Sequence, residues 1–71
     1  LTHRIVSFLL DECAKSKSSS IVMTHEDVAK GIGSAREAVS RILKQLAKKE
    51  YISLNRGEIK IEKREELYRL L

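Results

Sequence analysis

The segment from Gly33 to Lys49 separates apolar from charged side chains at helical spacing, and it constrains the fold more than any other part of the chain. At about 100° per residue, one arc carries Val39, Ile42, Leu43 and Leu46. The opposite arc carries Arg36, Glu37, Ser40, Arg41, Lys44 and Lys48. Because exposing a large apolar side chain to water costs about 1.5–3 kcal/mol, the first arc must pack on the rest of the chain. The second arc then faces solvent, either as an ordinary hydrated surface or as a face that enters a DNA major groove.

The size and charge of the chain narrow its function class. Its 71 residues suffice for one small domain, so we assign residues 1–71 to a single domain in which a deep catalytic cleft is not expected. The net charge of +4 favours an acidic partner, most commonly nucleic acid. Cys13 is the single cysteine, which excludes an internal disulfide and fits a cytoplasmic protein. No apolar run is long enough to predict a membrane span.

The first third of the chain predicts one helix, a polar loop and a short strand. Residues 1–14 place Leu1, Ile5, Phe8, Leu9 and Cys13 on one side at i, i+4 spacing. Val6 and Leu10 lie off this stripe, where they either widen it or pack on a part of the protein outside this sequence. The serine- and lysine-rich residues 15–20 indicate a loop, and residues 21–23 a brief strand. Since the sequence opens directly in a helical pattern, we expect a fragment of a longer protein.

Two helices joined by a glycine turn follow. Thr24 is the expected N-cap of a helix over about residues 25–30, which Gly31 and Gly33 end. The second helix, 34–48, is expected to start at Ser34, because Ser34 and Glu37 match the S-x-x-E capping box. Glu37 therefore has two possible roles, as a cap or as a reader of bases. This arrangement is typical of a helix-turn-helix, with its second member as the recognition helix.

The pattern changes to alternation after Lys49. Residues 51–54 and 58–61 alternate apolar and polar side chains, and residues 55–57, Asn-Arg-Gly, predict the hairpin turn between them. Arg56 at its tip is placed either to reach a phosphate or simply to face solvent. Residues 63–71 predict a short last helix that buries Leu67, Leu70 and Leu71. The fold class is thus α+β and mostly α: a winged helix-turn-helix with a three-helix core, a β-hairpin wing and a short C-terminal helix.

The sequence carries no pattern of catalytic or metal-binding residues. His3 and His25 are far apart and stand in no cluster of ligand residues, so no metal site is predicted. No phosphate-binding glycine loop is present, and Ser40 has no histidine near it in sequence. We therefore predict no catalytic residues, no enzyme activity and no cofactor within these 71 residues.

In contrast to catalysis and metal binding, DNA recognition is supported by several suitable residues. The N-terminal part of a recognition helix contacts bases, and the rest of its face contacts phosphates. The predicted base-contacting residues are Arg36, Glu37, Ser40 and Arg41. The predicted backbone-contacting residues are Thr24, His25 and Ser34 at helix starts, Lys44 and Lys48 along the helix, and Arg56 on the wing.

Two segments carry a family resemblance. Thr24-His25-Glu26-Asp27-Val28-Ala29, followed by Gly33-Ser34-Ala35-Arg36-Glu37-Ala38-Val39-Ser40-Arg41-Ile42-Leu43, resembles the C-terminal DNA-binding domain of the Crp/Fnr transcription regulators. Ala35 departs from the family's Ser or Thr. The resemblance implies that Arg36, Glu37 and Arg41 read a TGTGA- or TTGAT-like half-site with help from Ser40.

The same resemblance implies partners outside this sequence. They are an N-terminal effector domain, for a cyclic nucleotide or another effector, and a helix that forms a homodimer on a pseudo-palindrome of double-stranded DNA. RNA polymerase is a further implied partner. Two alternatives stay open at this stage: a winged helix that binds only proteins, and a domain that binds nucleic acid without sequence preference.

Overall fold

Four helices and three strands make up the computed structural model, which describes all 71 residues. The helices are α1 (Thr2–Ser16), α2 (His25–Ile32), α3 (Arg36–Lys48) and α4 (Arg64–Arg69). The strands are β1 (Ser20–Ile21), β2 (Ile52–Asn55) and β3 (Glu58–Ile61). The predicted winged helix-turn-helix architecture is confirmed, since α2 and α3 form the helix pair and β2 and β3 form the wing.

The core is entirely hydrophobic and draws on every helix and strand. It contains 16 buried residues, and none of them is polar or charged. Val6 and Leu10 are among them, so the apolar stripe of α1 is wide and faces inward. From α4 only Leu67 is buried; the prediction that Leu70 and Leu71 pack inward is wrong, because α4 ends at Arg69. None of the helices is both long and apolar enough to cross a membrane.

The wing belongs to a three-stranded antiparallel sheet in the order β1-β3-β2. Ile52 pairs with Ile61 in the β2–β3 hairpin, and Gly57 makes its turn with φ 71°. The strand predicted at residues 21–23 lies instead at Ser20–Ile21. There Ser20 pairs with Lys60 of β3. The chain leaves the sheet immediately afterwards, and this leaves the side chain of Val22 84% exposed.

Helix α2 is capped at both ends by its own sequence. The Thr24 hydroxyl accepts a hydrogen bond from the Asp27 N–H at 3.1 Å, and the Asp27 carboxylate accepts one from the Thr24 N–H at 3.0 Å. Gly33 ends the helix in the left-handed conformation, with φ 67°. Gly31 was predicted to stop α2 but lies within it. The Arg4 guanidinium donates to the Ile32 carbonyl, which ties α1 to the last turn of α2.

Helix α3 begins two residues later than predicted. Its N-cap is Ala35, which has no side-chain acceptor, and its first helical residue is Arg36. The capping box expected at Ser34 is therefore wrong. The Ser34 N–H donates to the Ala29 carbonyl at 2.9 Å, so Ser34 still closes the end of α2. Ile42 is only half-buried, whereas Leu43 is fully enclosed.

Candidate nucleic-acid interface

The outward surface of α3 is a continuous polar face. An open depression on this surface is lined only by Arg36, Glu37, Ser40, Arg41 and Lys44, which we call the α3 outer face. All of these side chains are exposed except Ser40, which is half-buried. On the opposite side of the helix, core packing holds Val39 and Leu43 at 0% exposure, so α3 cannot rotate without exposing the core.

The cations of this face are not neutralised within the chain. The ion pairs of the structure lie elsewhere, between Glu12 and Lys15 at 3.4 Å and between Glu66 and Arg69 at 3.5 Å. Arg36, Arg41 and Lys44 take part in neither pair and are therefore available to a ligand. A face with three unpaired cations and one carboxylate attracts a polyanion, and the attraction weakens as salt increases.

The uncapped start of α3 adds donors to this face. Because Ala35 supplies no side-chain acceptor, the N–H groups of the first helical turn have no side-chain partner. Such groups and the helix dipole favour an anion. The carboxylate of Glu37 forms no hydrogen bond to the chain, and the Ser34 N–H is already used. Of the two roles left open for Glu37, the capping role is thus excluded.

A second cleft joins α2, α3 and the wing. It is lined by Met23, Thr24, His25, Glu26, Arg36, Asn55, Arg56 and Gly57. Arg56 of the wing tip thus shares one cleft with the start of α2 and with Arg36 of the α3 outer face. Glu26 and Asn55 were not singled out from the sequence. An acidic residue in the first turn of a helix and an asparagine in a hairpin turn both have ordinary structural explanations, which gave no functional signal.

The wing tip is held in place by polar contacts. The carboxylate of Glu58 accepts hydrogen bonds from the Ser20 hydroxyl at 3.2 Å and from the Asn55 amide at 3.5 Å. These contacts link β1, the end of β2 and β3. Because Arg56 follows Asn55 directly, these contacts lie next to the backbone that carries the wing-tip cation.

His25 contacts the α3 outer face directly. Its Nδ1 lies 2.7 Å from the Ser40 Oγ, a hydrogen bond between the first residue of α2 and the middle of α3. Burial, followed by the nearby charges of Lys44 and Arg36, lowers the pKa of His25 below its usual value. The ring is therefore neutral at pH 7. Sequence reasoning missed this contact, because the two residues are 15 positions apart.

The remaining predicted residues lie at the margins of these two surfaces. Lys48 is exposed at the last position of α3, beyond the residues that line the depression. Ser34 is half-buried in the turn, and its N–H is occupied. At the start of α2, the N–H and the hydroxyl of Thr24 both take part in the capping box with Asp27. No three His, Cys, Asp or Glu side chains come close enough to hold a metal ion.

Comparisons with known proteins agree with this geometry. Residues 3–70 match the model of the Crp-like helix-turn-helix domain. The global nitrogen regulator of Nostoc sp. (strain PCC 7120) is 34% identical over 67 residues, an alignment that covers 84% of this chain and 30% of the regulator.

Solved structures match almost the whole chain. A Crp/Fnr-family transcriptional regulator from Eubacterium rectale has a TM-score of 0.95 and 34% identity, over 99% of this chain and 32% of its own. The catabolite activator protein of Thermus thermophilus has a TM-score of 0.90 and 25% identity, over 97% of this chain and 32% of its own. The chain thus spans about a third of the length of these relatives. It belongs to the Crp-like helix-turn-helix family and is a DNA-binding winged-helix domain of the type found in Crp/Fnr transcription regulators.

Proposed function

We propose that this domain binds a specific sequence of double-stranded DNA with α3 in the major groove, as the DNA-reading part of a transcription regulator. The observation that carries the proposal is the α3 outer face, whose unpaired cations and free carboxylate stand on a helix fixed from behind by the core. The centre of a protein–protein interface is typically depleted in charged residues, whereas Arg36, Glu37, Arg41 and Lys44 line the α3 outer face, so this geometry does not favour the competing interaction role.

Each side chain of the interface has a proposed role. Arginine pairs bidentately with the O6 and N7 of guanine, and a glutamate carboxylate accepts from the amino group of cytosine. We assign base reading to Arg36, Glu37, Ser40 and Arg41. We assign phosphate contacts to Lys44 and Lys48 on α3, to Thr24, His25 and Ser34 before or at the helix starts, and to Arg56 on the wing.

The proposal extends to the protein that contains this domain. Since the relatives are about three times as long, we propose that the domain acts within a cytoplasmic homodimer on a pseudo-palindromic site. An effector domain, for a cyclic nucleotide or another small molecule, and contact with RNA polymerase complete the proposed regulator. Its relatives are transcriptional regulators, and we propose that this chain likewise performs no catalysis.

The test is a binding titration of the domain fused to a dimerising helix. The duplexes are a TGTGA-type palindrome, a TTGAT-type palindrome and a scrambled sequence, each at two salt concentrations. We expect at least tenfold tighter binding to one palindrome than to the scrambled duplex, which would also assign the half-site class. Equal, salt-sensitive binding to all three would contradict sequence-specific recognition and leave a basic domain that binds DNA without preference.

A further inference from the structure

The hydrogen bond between His25 and Ser40 connects two regions with different proposed partners. Ser40 lines the α3 outer face, where bases are read, whereas His25 lines the cleft shared with the wing tip, where phosphates are bound. The Nδ1–Oγ distance of 2.7 Å leaves no space for a bridging water. A contact made by Nε2, the other ring nitrogen of His25, can therefore affect the Ser40 hydroxyl directly through this hydrogen bond.

The second ring nitrogen of His25 is open to solvent. Nε2 forms no hydrogen bond within the chain, and no buried side-chain nitrogen or oxygen of the protein lacks a partner. Because His25 is only half-buried, these two facts together place Nε2 at the surface. It is thus available to DNA while Nδ1 stays bonded to Ser40.

A phosphate at Nε2 would decide the direction of the bond at Nδ1. Phosphate oxygens only accept hydrogen bonds, so a contact with them requires the proton on Nε2. In a neutral ring Nδ1 is then the acceptor, and the Ser40 hydroxyl donates its single proton to it. Ser40 consequently turns only lone pairs toward the groove. Among the polar groups of the major groove, those that donate are the amino groups of adenine N6 and cytosine N4.

We propose that His25 is a positioning residue for base reading: it binds a DNA phosphate through Nε2 and holds the Ser40 hydroxyl through Nδ1, so that Ser40 accepts a hydrogen bond from a base amino group. This inference rests on the proposed function, because it needs α3 in the major groove. It adds the chemical identity of the group that Ser40 selects.

Protonation of the ring reverses the selection. An imidazolium donates from both nitrogens, so Ser40 would accept from Nδ1 and offer its own proton to a carbonyl such as thymine O4. The charges of Arg36 and Lys44 on α3 act on the ring. Arg56 of the wing and Glu26 of α2 line the same cleft as His25, and Asp27 lies two positions further along α2. Burial, Lys44 and Arg36 oppose protonation of the ring, whereas the carboxylates and a bound phosphate favour it, so the reversal is expected at acidic pH.

The experiment measures the dissociation constant of the 71-residue chain on duplexes that contain its preferred half-site. The base pair read by Ser40 is first located as the position where Ser40→Ala loses discrimination. At that pair, one duplex carries a base analogue without the amino group and another an analogue without the carbonyl oxygen. Both are compared in the wild type and in Ser40→Ala, which corrects for any weakening of the duplex itself.

Two variants of His25 distinguish a role in positioning the Ser40 hydroxyl from a role in stabilising the fold. His25→Gln keeps the same polarity, since an amide oxygen accepts from Ser40 while its NH₂ donates to phosphate, but it does not titrate. His25→Ala leaves the Ser40 hydroxyl free to rotate. Circular dichroism of each variant shows that it is folded before its binding is compared.

At about pH 8, removal of the amino group should weaken wild-type and His25→Gln binding about three- to tenfold, with no loss in Ser40→Ala. In His25→Ala, the two analogue duplexes should bind equally weakly, because the Ser40 hydroxyl can rotate to accept or donate. Toward about pH 5, removal of the carbonyl oxygen should instead weaken binding of the wild type but not of His25→Gln.

Equal losses in the wild type and Ser40→Ala, or a loss on removal of the carbonyl oxygen at the higher pH, would overturn the inference while sequence-specific binding stands. Absence of any duplex preference would overturn the proposed function itself.

Discussion

The ring of Phe8 occupies the space that a β-carbon at residue 31 would need. A β-carbon built on Gly31 would lie 2.5 Å from Cζ and 2.6 Å from Cε1 of that ring. Real β-carbons do not approach other atoms so closely, so α1 and α2 pack as they do because residue 31 has no side chain. The absence of a side chain at residue 31 thus permits the Phe8 ring of α1 to lie directly against α2.

We expect Gly31→Ala to lower the free energy of unfolding by about 1 kcal/mol in the wild-type background. Alanine improves helix propensity by about 1 kcal/mol, but displacing the half-buried ring costs more. In a Phe8→Ala background the same change should instead stabilise the domain by about 1 kcal/mol. Urea denaturation of the four proteins measures this coupling. An effect of the same sign in both backgrounds would show that the ring and residue 31 do not compete for space.

The two serine or threonine residues that precede helices should differ in their contribution to stability. Thr24→Ala removes the N-cap of α2 and should cost about 1 kcal/mol. Ser34→Ala is the matched control, because Ser34 caps no helix, and it should change stability by less than about 0.5 kcal/mol. Thermal unfolding measures both. An equal cost at the two positions would contradict the start of α3 at Arg36.

The same capping box predicts an acid-dependent loss of stability. Hydrogen bonds from the Thr24 N–H and hydroxyl lower the pKa of Asp27. As the pH falls, the Asp27 carboxylate therefore binds a proton in the unfolded chain before it does so in the folded domain. The stabilisation by the capping box is thus present above about pH 4 and disappears below it. Asp27→Asn should flatten the dependence of the unfolding temperature on pH in this range. An unchanged slope would show that the carboxylate does not cap α2.

His25 predicts a second pH dependence, at higher pH. Since burial and the charges of Lys44 and Arg36 lower its pKa in the folded domain, the unfolded chain binds this proton first below about pH 6.5. The free energy of unfolding should be constant above about pH 7.5 and should fall as the pH drops through about 6.5. His25→Gln should remove this decline. A decline that persists unchanged in the variant would assign it to other groups.

Two cations of α3 should respond differently to the DNA sequence. Arg41→Ala should cost about 1–3 kcal/mol on the preferred site and relax base preference, because arginine reads guanine. Lys48→Ala should weaken binding to every duplex alike and reduce the salt slope by about 1. Titrations on specific and scrambled duplexes at several salt concentrations distinguish the two. Uniform loss for Arg41→Ala would remove it from the base readers.

The sequence predicts the architecture because burial follows periodicity. The spacing of Val39, Leu43 and Leu46 defines the inner side of α3, and it holds whatever the neighbouring helix is. The α3 outer face follows from the same spacing, which is why its residues could be named in advance. The alternation of Ile52, Ile59 and Ile61 likewise predicts the wing.

The features that the sequence did not predict depend on contacts between distant segments. The capping box at Ser34 fits the local pattern, but the Ser34 N–H is taken by Ala29 of the preceding helix. The position of β1 depends on β3, since the Ile61 N–H donates to the Ser19 carbonyl at 2.7 Å. The bond between His25 and Ser40 depends on how α2 crosses α3, and a helical period carries no information on that crossing.

The central position of β3 in the sheet has a thermodynamic consequence for association. An isolated two-stranded hairpin has two free edges and can bend on its stem, whereas here the β3 edge is bonded to Ser20–Ile21 and, through Glu58, to the Ser20 hydroxyl. Ordering a flexible residue costs about 1–2 kcal/mol of backbone entropy. Because that cost is met when the domain folds, the hairpin that carries Arg56 is already ordered before any ligand binds. The wing and α3 therefore present one preformed surface, and its shape does not have to be created by the partner.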